Sequence, residues 1–132
     1  MHRLPDWPTR LERFLRSSAE RPFQYGVFDC ALFVCDAVDV MTGVDPARFL
    51  RGLYTRRAEA RKLLVYRGGF DAIAAANQMP EVAVTAARRG DVLQLRRSAL
   101  GLMALNGRQA VVLTDKGLAL APIDSALRAW RV

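Results

Sequence analysis

Cys30 is the side chain in this sequence whose type and position could do chemistry. It follows Asp29 and opens a segment in which Cys30, Phe33, Val34, Ala37, Val38 and Met41 recur at i, i+3, i+4, i+7, i+8 and i+11. That spacing is the stripe of an amphipathic helix. A cysteine in the first turn of such a helix sits among unpaired N–H groups at the positive end of the macrodipole, which favours the thiolate and so a nucleophile. The same position belongs to the apolar face, where a free cysteine packs as a small hydrophobe. Asp29 falls on the N-cap, and capping accounts for it; its negative charge opposes thiolate formation in part. Cys35 points to another side of the helix and reads as a core or partner contact. Two cysteines are too few for a disulfide scaffold and lack the companion ligands of a zinc site, so neither a metal nor a cofactor is expected. The only histidine is His2.

Helices must hold Cys30, and the first half of the chain supplies them. Asp6 reads as an N-cap with Pro8 in the first turn, and Leu11, Phe14 and Leu15 share one helical face before Arg21-Pro22 ends the segment. A turn at Phe23-Gln-Tyr-Gly26 leads to the Cys30 helix, which Gly43 closes in the left-handed C′ position. Asp45-Pro46 begins a further short helix, Thr55 to Tyr66 another that Gly68-Gly69 stops, and Phe70 to Asn77 a last one before Pro80. From there the pattern turns to short apolar runs between turn residues: Val82 to Thr85, Asp91 to Leu95, Leu100 to Leu105, Gln109 to Thr114 and Leu118 to Ala121. Asn106-Gly107 signals a two-residue hairpin and Asp115-Lys116-Gly117 a second turn. Ala126 to Val132 ends the chain, with Trp130 as a core or interface anchor. Helices followed by hairpin-linked strands predict an α+β fold, with the helices packed on a small antiparallel sheet.

At 132 residues and 52% hydrophobic content the chain has room for one core, so residues 1–132 form a single domain. No apolar run reaches the length of a spanning helix and the start lacks a secretory core, so synthesis in the cytoplasm without a membrane span is expected. The net charge is +7, but all except two of the 20 basic residues are arginines dispersed from Arg3 to Arg131. No aromatic stacking platform accompanies them, and nucleic acid is not an expected partner. Arg56, Arg57, Arg61, Lys62 and Arg67 at helical spacing form mostly one solvated face.

Phe28-Asp29-Cys30-Ala31-Leu32-Phe33-Val34 resembles the nucleophile motif of NlpC-type cell-wall peptidases, which are papain-like cysteine hydrolases, with Ala31 and Leu32 where the motif usually has serine and glycine. Arg89-Gly90-Asp91-Val92-Leu93 resembles the Gly-Asp turn that opens their central sheet, and Ala99-Leu-Gly-Leu-Met-Ala-Leu-Asn-Gly107 their His-Val-Gly-Ile-Tyr-Val-Gly-Asn-Gly hairpin. Over essentially the whole chain, Asp6-Trp7-Pro8, Pro22-Phe23, Tyr25-Gly26, Asp29-Cys30, Met41-Thr-Gly43, Asp45-Pro46, the Arg-Gly-Asp turn, Ala99-Leu-Gly101 and Ala129-Trp-Arg-Val132 look like the landmarks of a small related family of phage, prophage and gene-transfer-agent proteins. The resemblance implies a papain-like NlpC-type fold and a tail-tip or tail-assembly protein, located in the virion and bound to tail-tip hub or fibre proteins.

In that register the peptidases' histidine falls on Ala99, which can neither deprotonate a thiol nor protonate a leaving amine. The expectation is therefore a structural adaptor whose papain-like domain has lost its hydrolase dyad. The alternative is an active cysteine peptidase or amidase that opens peptidoglycan during genome entry, with Cys30 as nucleophile and a base supplied by His2 or by another virion protein. An unrelated binding module is the third class. Arg51, Arg56, Arg57 and Arg131 are the expected contacts to an acidic docking surface, with Tyr54 or Trp130 as the apolar anchor.

Overall fold

The computed structural model describes residues 1–132. Four helices precede six strands: α1 (Trp7–Ser18), α2 (Cys30–Thr42), α3 (Arg57–Tyr66), α4 (Gly69–Ala76), β1 (Glu81–Val82), β2 (Val92–Leu95), β3 (Leu100–Met103), β4 (Gln109–Thr114), β5 (Gly117–Pro122) and β6 (Ala126–Trp130). The strands form one sheet in the order β1-β6-β2-β3-β4-β5, antiparallel throughout. The fold is α+β, as the order of helical and strand-like segments predicts. No helix is long and apolar enough to cross a membrane.

Helix α2 is the central helix because its stripe is almost wholly apolar: Phe33, Val34, Ala37, Val38 and Met41 are fully buried. It packs between α1, where Phe14 stacks on Phe33 with ring centroids 5.5 Å apart, and the sheet face that presents Val92, Leu100, Leu102, Val111 and Leu113. Gly43 closes the helix in the left-handed region at φ 80° and returns its N–H to the Asp39 carbonyl. The opposite face of the sheet buries Leu93, Leu95, Met103, Ala110, Val112 and Ala129. Val82 of β1 and Ala121 of β5, on the two edge strands, both pack on this second cluster.

Several local expectations are corrected. Asp6 stands at the N-cap of α1 but makes no capping bond; its carboxylate accepts from Arg10 at 2.8 Å instead. Asp45-Pro46 opens hydrogen-bonded turns rather than a helix, because the Asp45 carboxylate caps the Ala47 N–H and receives Arg51. The segment from Val82 to Thr85 leaves the sheet after two paired residues, Glu81 and Val82, and tightens into a 3-10 turn at Val84–Ala86. Asn106-Gly107 does not form a two-residue hairpin. Asn106 turns its side-chain oxygen onto the Arg108 and Gln109 N–H groups, and the ladder closes only where the Ala104 N–H reaches the Gln109 carbonyl. The two-residue turn is the other one: Thr114 pairs with Gly117 across Asp115 and Lys116.

The two ends of the chain meet at a buried carboxylate. Asp91, wholly inaccessible, accepts hydrogen bonds from Arg3 Nη2 at 2.8 Å, Arg131 Nε at 3.1 Å and the backbone N–H groups of Arg88 and Val132 at 2.8 and 3.1 Å. Arg3 Nε in turn donates to the Val132 carbonyl at 3.0 Å. Leu4 is fastened by its N–H to the Met41 carbonyl at the C-terminal end of α2.

Candidate functional site

Cys30 occupies the first position of α2 and Asp29 its N-cap, as the sequence predicts. Asp29 adopts an extended backbone, and its Oδ1 accepts the Leu32 N–H at 2.9 Å. Its Oδ2 accepts two more donors, the Gly26 N–H at 3.0 Å and the Tyr54 hydroxyl at 2.5 Å. Gly26 makes this convergence possible: it sits at φ +82°, and a Cβ there would lie 1.9 Å from the Tyr54 carbonyl oxygen. The loop carrying Tyr54 is pinned to the same place by the Gly52 N–H, which donates to the Gly26 carbonyl. Tyr54 is one of two residues expected as an apolar anchor, a position otherwise typical of the core. The structure buries it against Asp29, where no local motif could have announced a partner so far along the chain.

Around the Cys30 sulfur the balance runs against the thiolate. Burial pushes its pKa up, and the neighbouring Asp29 charge adds to the rise; the polar backbone at Leu100 and in the helix's own first turn opposes both and does not prevail. The helix dipole alone would lower the thiol pKa, but seating the first turn of α2 against β3 desolvates the sulfur and reverses the sign. Cys35 is buried and its thiol is pushed up further, again by desolvation first. Burial, followed by the Asp29 hydrogen bond, also raises the Tyr54 phenol, so it stays protonated as the donor.

No base stands by the thiol. Ala99 precedes β3, where its carbonyl accepts the Leu95 N–H. Its side chain packs with the second cluster, on the sheet face turned away from α2, while its neighbour Leu100 points to the α2 side. His2 lies at the far end of α2, since Leu4 is bonded to Met41, eleven residues from Cys30; at the rise of an α-helix that is roughly 16 Å. Asp29 already accepts three hydrogen bonds. No group of three His, Cys, Asp or Glu side chains converges to hold a metal.

The expected contact residues separate into two kinds. Arg51 is committed to Asp36 at 2.5 Å and Asp45 at 2.8 Å, Arg131 to Asp91, and Trp130 is 2% exposed, with Phe70 edge-on at 4.9 Å. Trp130 and Tyr54 belong to the buried interior, while Arg51 and Arg131 are partly exposed but bound within the chain. Arg56 and Arg57 remain at the surface, Arg56 with only a 3.5 Å contact to Glu59.

A small α+β domain with a capped, protonated cysteine at the head of its central helix is the class these features define. A family profile described as a domain of unknown function, DUF6950, matches residues 2–132, and the chain belongs to that family. No curated protein and no solved structure matches it.

Proposed function

We propose that this protein is a papain-like domain of NlpC type that has lost its hydrolase dyad and serves as an adaptor subunit at a phage tail tip. The fold assignment is supported by three sequence blocks in the peptidases' order and by a cysteine at the N-terminus of a helix seated on an antiparallel sheet. The tail-tip role, the virion location and the hub or fibre partners rest on the resemblance of landmarks spread from Asp6-Trp7-Pro8 to Ala129-Trp-Arg-Val132.

One observation carries the loss of catalysis. Beside a thiol held protonated by burial, the nearest carboxylate is occupied by Leu32, Gly26 and Tyr54, and the one histidine is at the other end of α2. Amide cleavage needs a group to take the thiol proton and hand it to the departing amine. Neither half of that transfer has a carrier here. The Asp29–Tyr54 pair instead does structural work, joining the head of α2 to the preceding turn and to the loop before α3.

Purified protein incubated with peptidoglycan sacculi is expected to release no muropeptides, and Cys30→Ala is expected to leave infectivity of the particle unchanged. Purified particles should contain the protein, and it should copurify with hub components. Cysteine-dependent release of muropeptides, or absence of the protein from particles, would overturn the proposal.

A further inference from the structure

The clasp that joins the chain's ends has an outer face. Beside it opens a cleft of about 630 Å³ whose lining includes His2, Arg3, Trp7, Arg88, Arg89 and Arg131, a size suited to a small ligand or a short segment of a larger one. Four guanidinium groups line it and no aspartate or glutamate side chain does; Asp91, which binds two of the four, is wholly buried. Arg3 and Arg131 form the floor. Arg3 is fully engaged by Asp91, Val132 and Arg89 carbonyl or carboxylate oxygens, and Arg131 by Asp91 and the Ala86 carbonyl. Arg88 and Arg89 differ: both are exposed, and neither side chain has an acidic partner. Their backbones are fixed by the same carboxylate, through the Arg88 N–H to Asp91 and the Arg89 carbonyl to Arg3. Two cations without acidic partners are thus held at the rim, above an arginine pair already engaged by Asp91.

We infer that this cleft is a docking site for an acidic peptide segment of a protein partner, whose carboxylates pair with Arg88 and Arg89 beside Trp7. Guanidinium forks suit carboxylates bidentately, and electrostatic complementarity of this kind steers association. A nucleic-acid strand fits less well. Trp7 is the aromatic of the cleft, and it already carries the Arg3 guanidinium at 4.2 Å and Arg89 at 5.7 Å, so a base would have to displace a cation to stack. The inference rests on the adaptor proposal for its biological occupant, but its test uses neither virion components nor peptidoglycan, so either can fail without the other.

The probe is an oligoglutamate peptide without aromatic residues, titrated at low salt into the whole protein while tryptophan emission is followed. Trp7 is half-buried in the cleft and Trp130 is buried in the core, so Trp7→Phe identifies the responding ring. A saturable change is expected, lost in Trp7→Phe, weakened roughly tenfold or more by Arg88→Ala with Arg89→Ala and by added salt, and unaffected by Arg56→Ala with Arg57→Ala. No saturable change, equal binding by the Arg88/Arg89 variant, or tighter binding of oligothymidylate than of oligoglutamate would overturn it, the last by assigning the cleft to nucleic acid.

Discussion

Asp29 gathers three donors from three separate stretches of chain, the Gly26 turn, the first turn of α2 and the Tyr54 loop. Removing it in Asp29→Ala would strand all three in a buried place, and the expected loss is about 3 kcal/mol in urea unfolding. Tyr54→Phe removes one donor to a charged acceptor and should cost roughly 2 kcal/mol. The pair also sets an alkaline limit. Tyr54 ionises later in the folded protein than its ordinary value of 10.0, so its contribution is complete below that pH and is lost as pH rises beyond it. Cys30 and Cys35, both raised from 9.0, add a loss that begins about one pH unit earlier. Thermal unfolding across the alkaline range should show the melting temperature falling from about pH 9, with the part above pH 10 flattened in Tyr54→Phe. For the same reason Cys30 should react with iodoacetamide more slowly at pH 8 than glutathione does; a faster reaction would mean that the helix dipole outweighs burial.

At the scale of elements, β3 and β4 meet in a close joint at Gly101. A Cβ at Gly101 would come 2.7 Å from the Val111 carbonyl oxygen and 3.1 Å from Val112 Cγ2. Gly101→Ala must therefore spread the two strands, at a cost of about 2 to 3 kcal/mol. Val65→Ser, on a helix α3 that buries no residue, should stay within about 0.5 kcal/mol. Such elements differ in how far the sequence discloses them. Helix α2 was legible because period, N-cap and Gly43 agree, each being a local signal. The Asn106-Gly107 turn was not, because the same asparagine that favours a tight turn also offers an oxygen to the next two N–H groups, and the second use prevails here. Cys30 was located correctly and its acidity was not: the helix end is written in adjacent residues, whereas its desolvation depends on β3, some seventy positions later. Tyr54 and Asp91 were missed for the same reason, since the partners that define them lie far away in the chain.

The whole molecule carries +7, and several of its arginines are paired within the chain. Arg3, Arg51, Arg128 and Arg131 are all tied to carboxylates, whereas Arg88 and Arg89 at the cleft rim are exposed without an acidic partner, as are Arg13, Arg48, Arg96, Arg97 and Arg108 elsewhere on the surface. This arrangement also has a temporal side. The bond from Arg3 to the Val132 carbonyl joins residues 129 positions apart, and closing a loop of that length forfeits more chain entropy than any other contact in the fold before it returns anything. The clasp should then form after the transition state, once the helices and the sheet are already together. Weakening it with Arg3→Ala should leave the refolding rate in a stopped-flow chevron nearly unchanged and speed unfolding, with a φ-value near zero. The lifetime of the native state, rather than the ease of reaching it, is what those few residues govern.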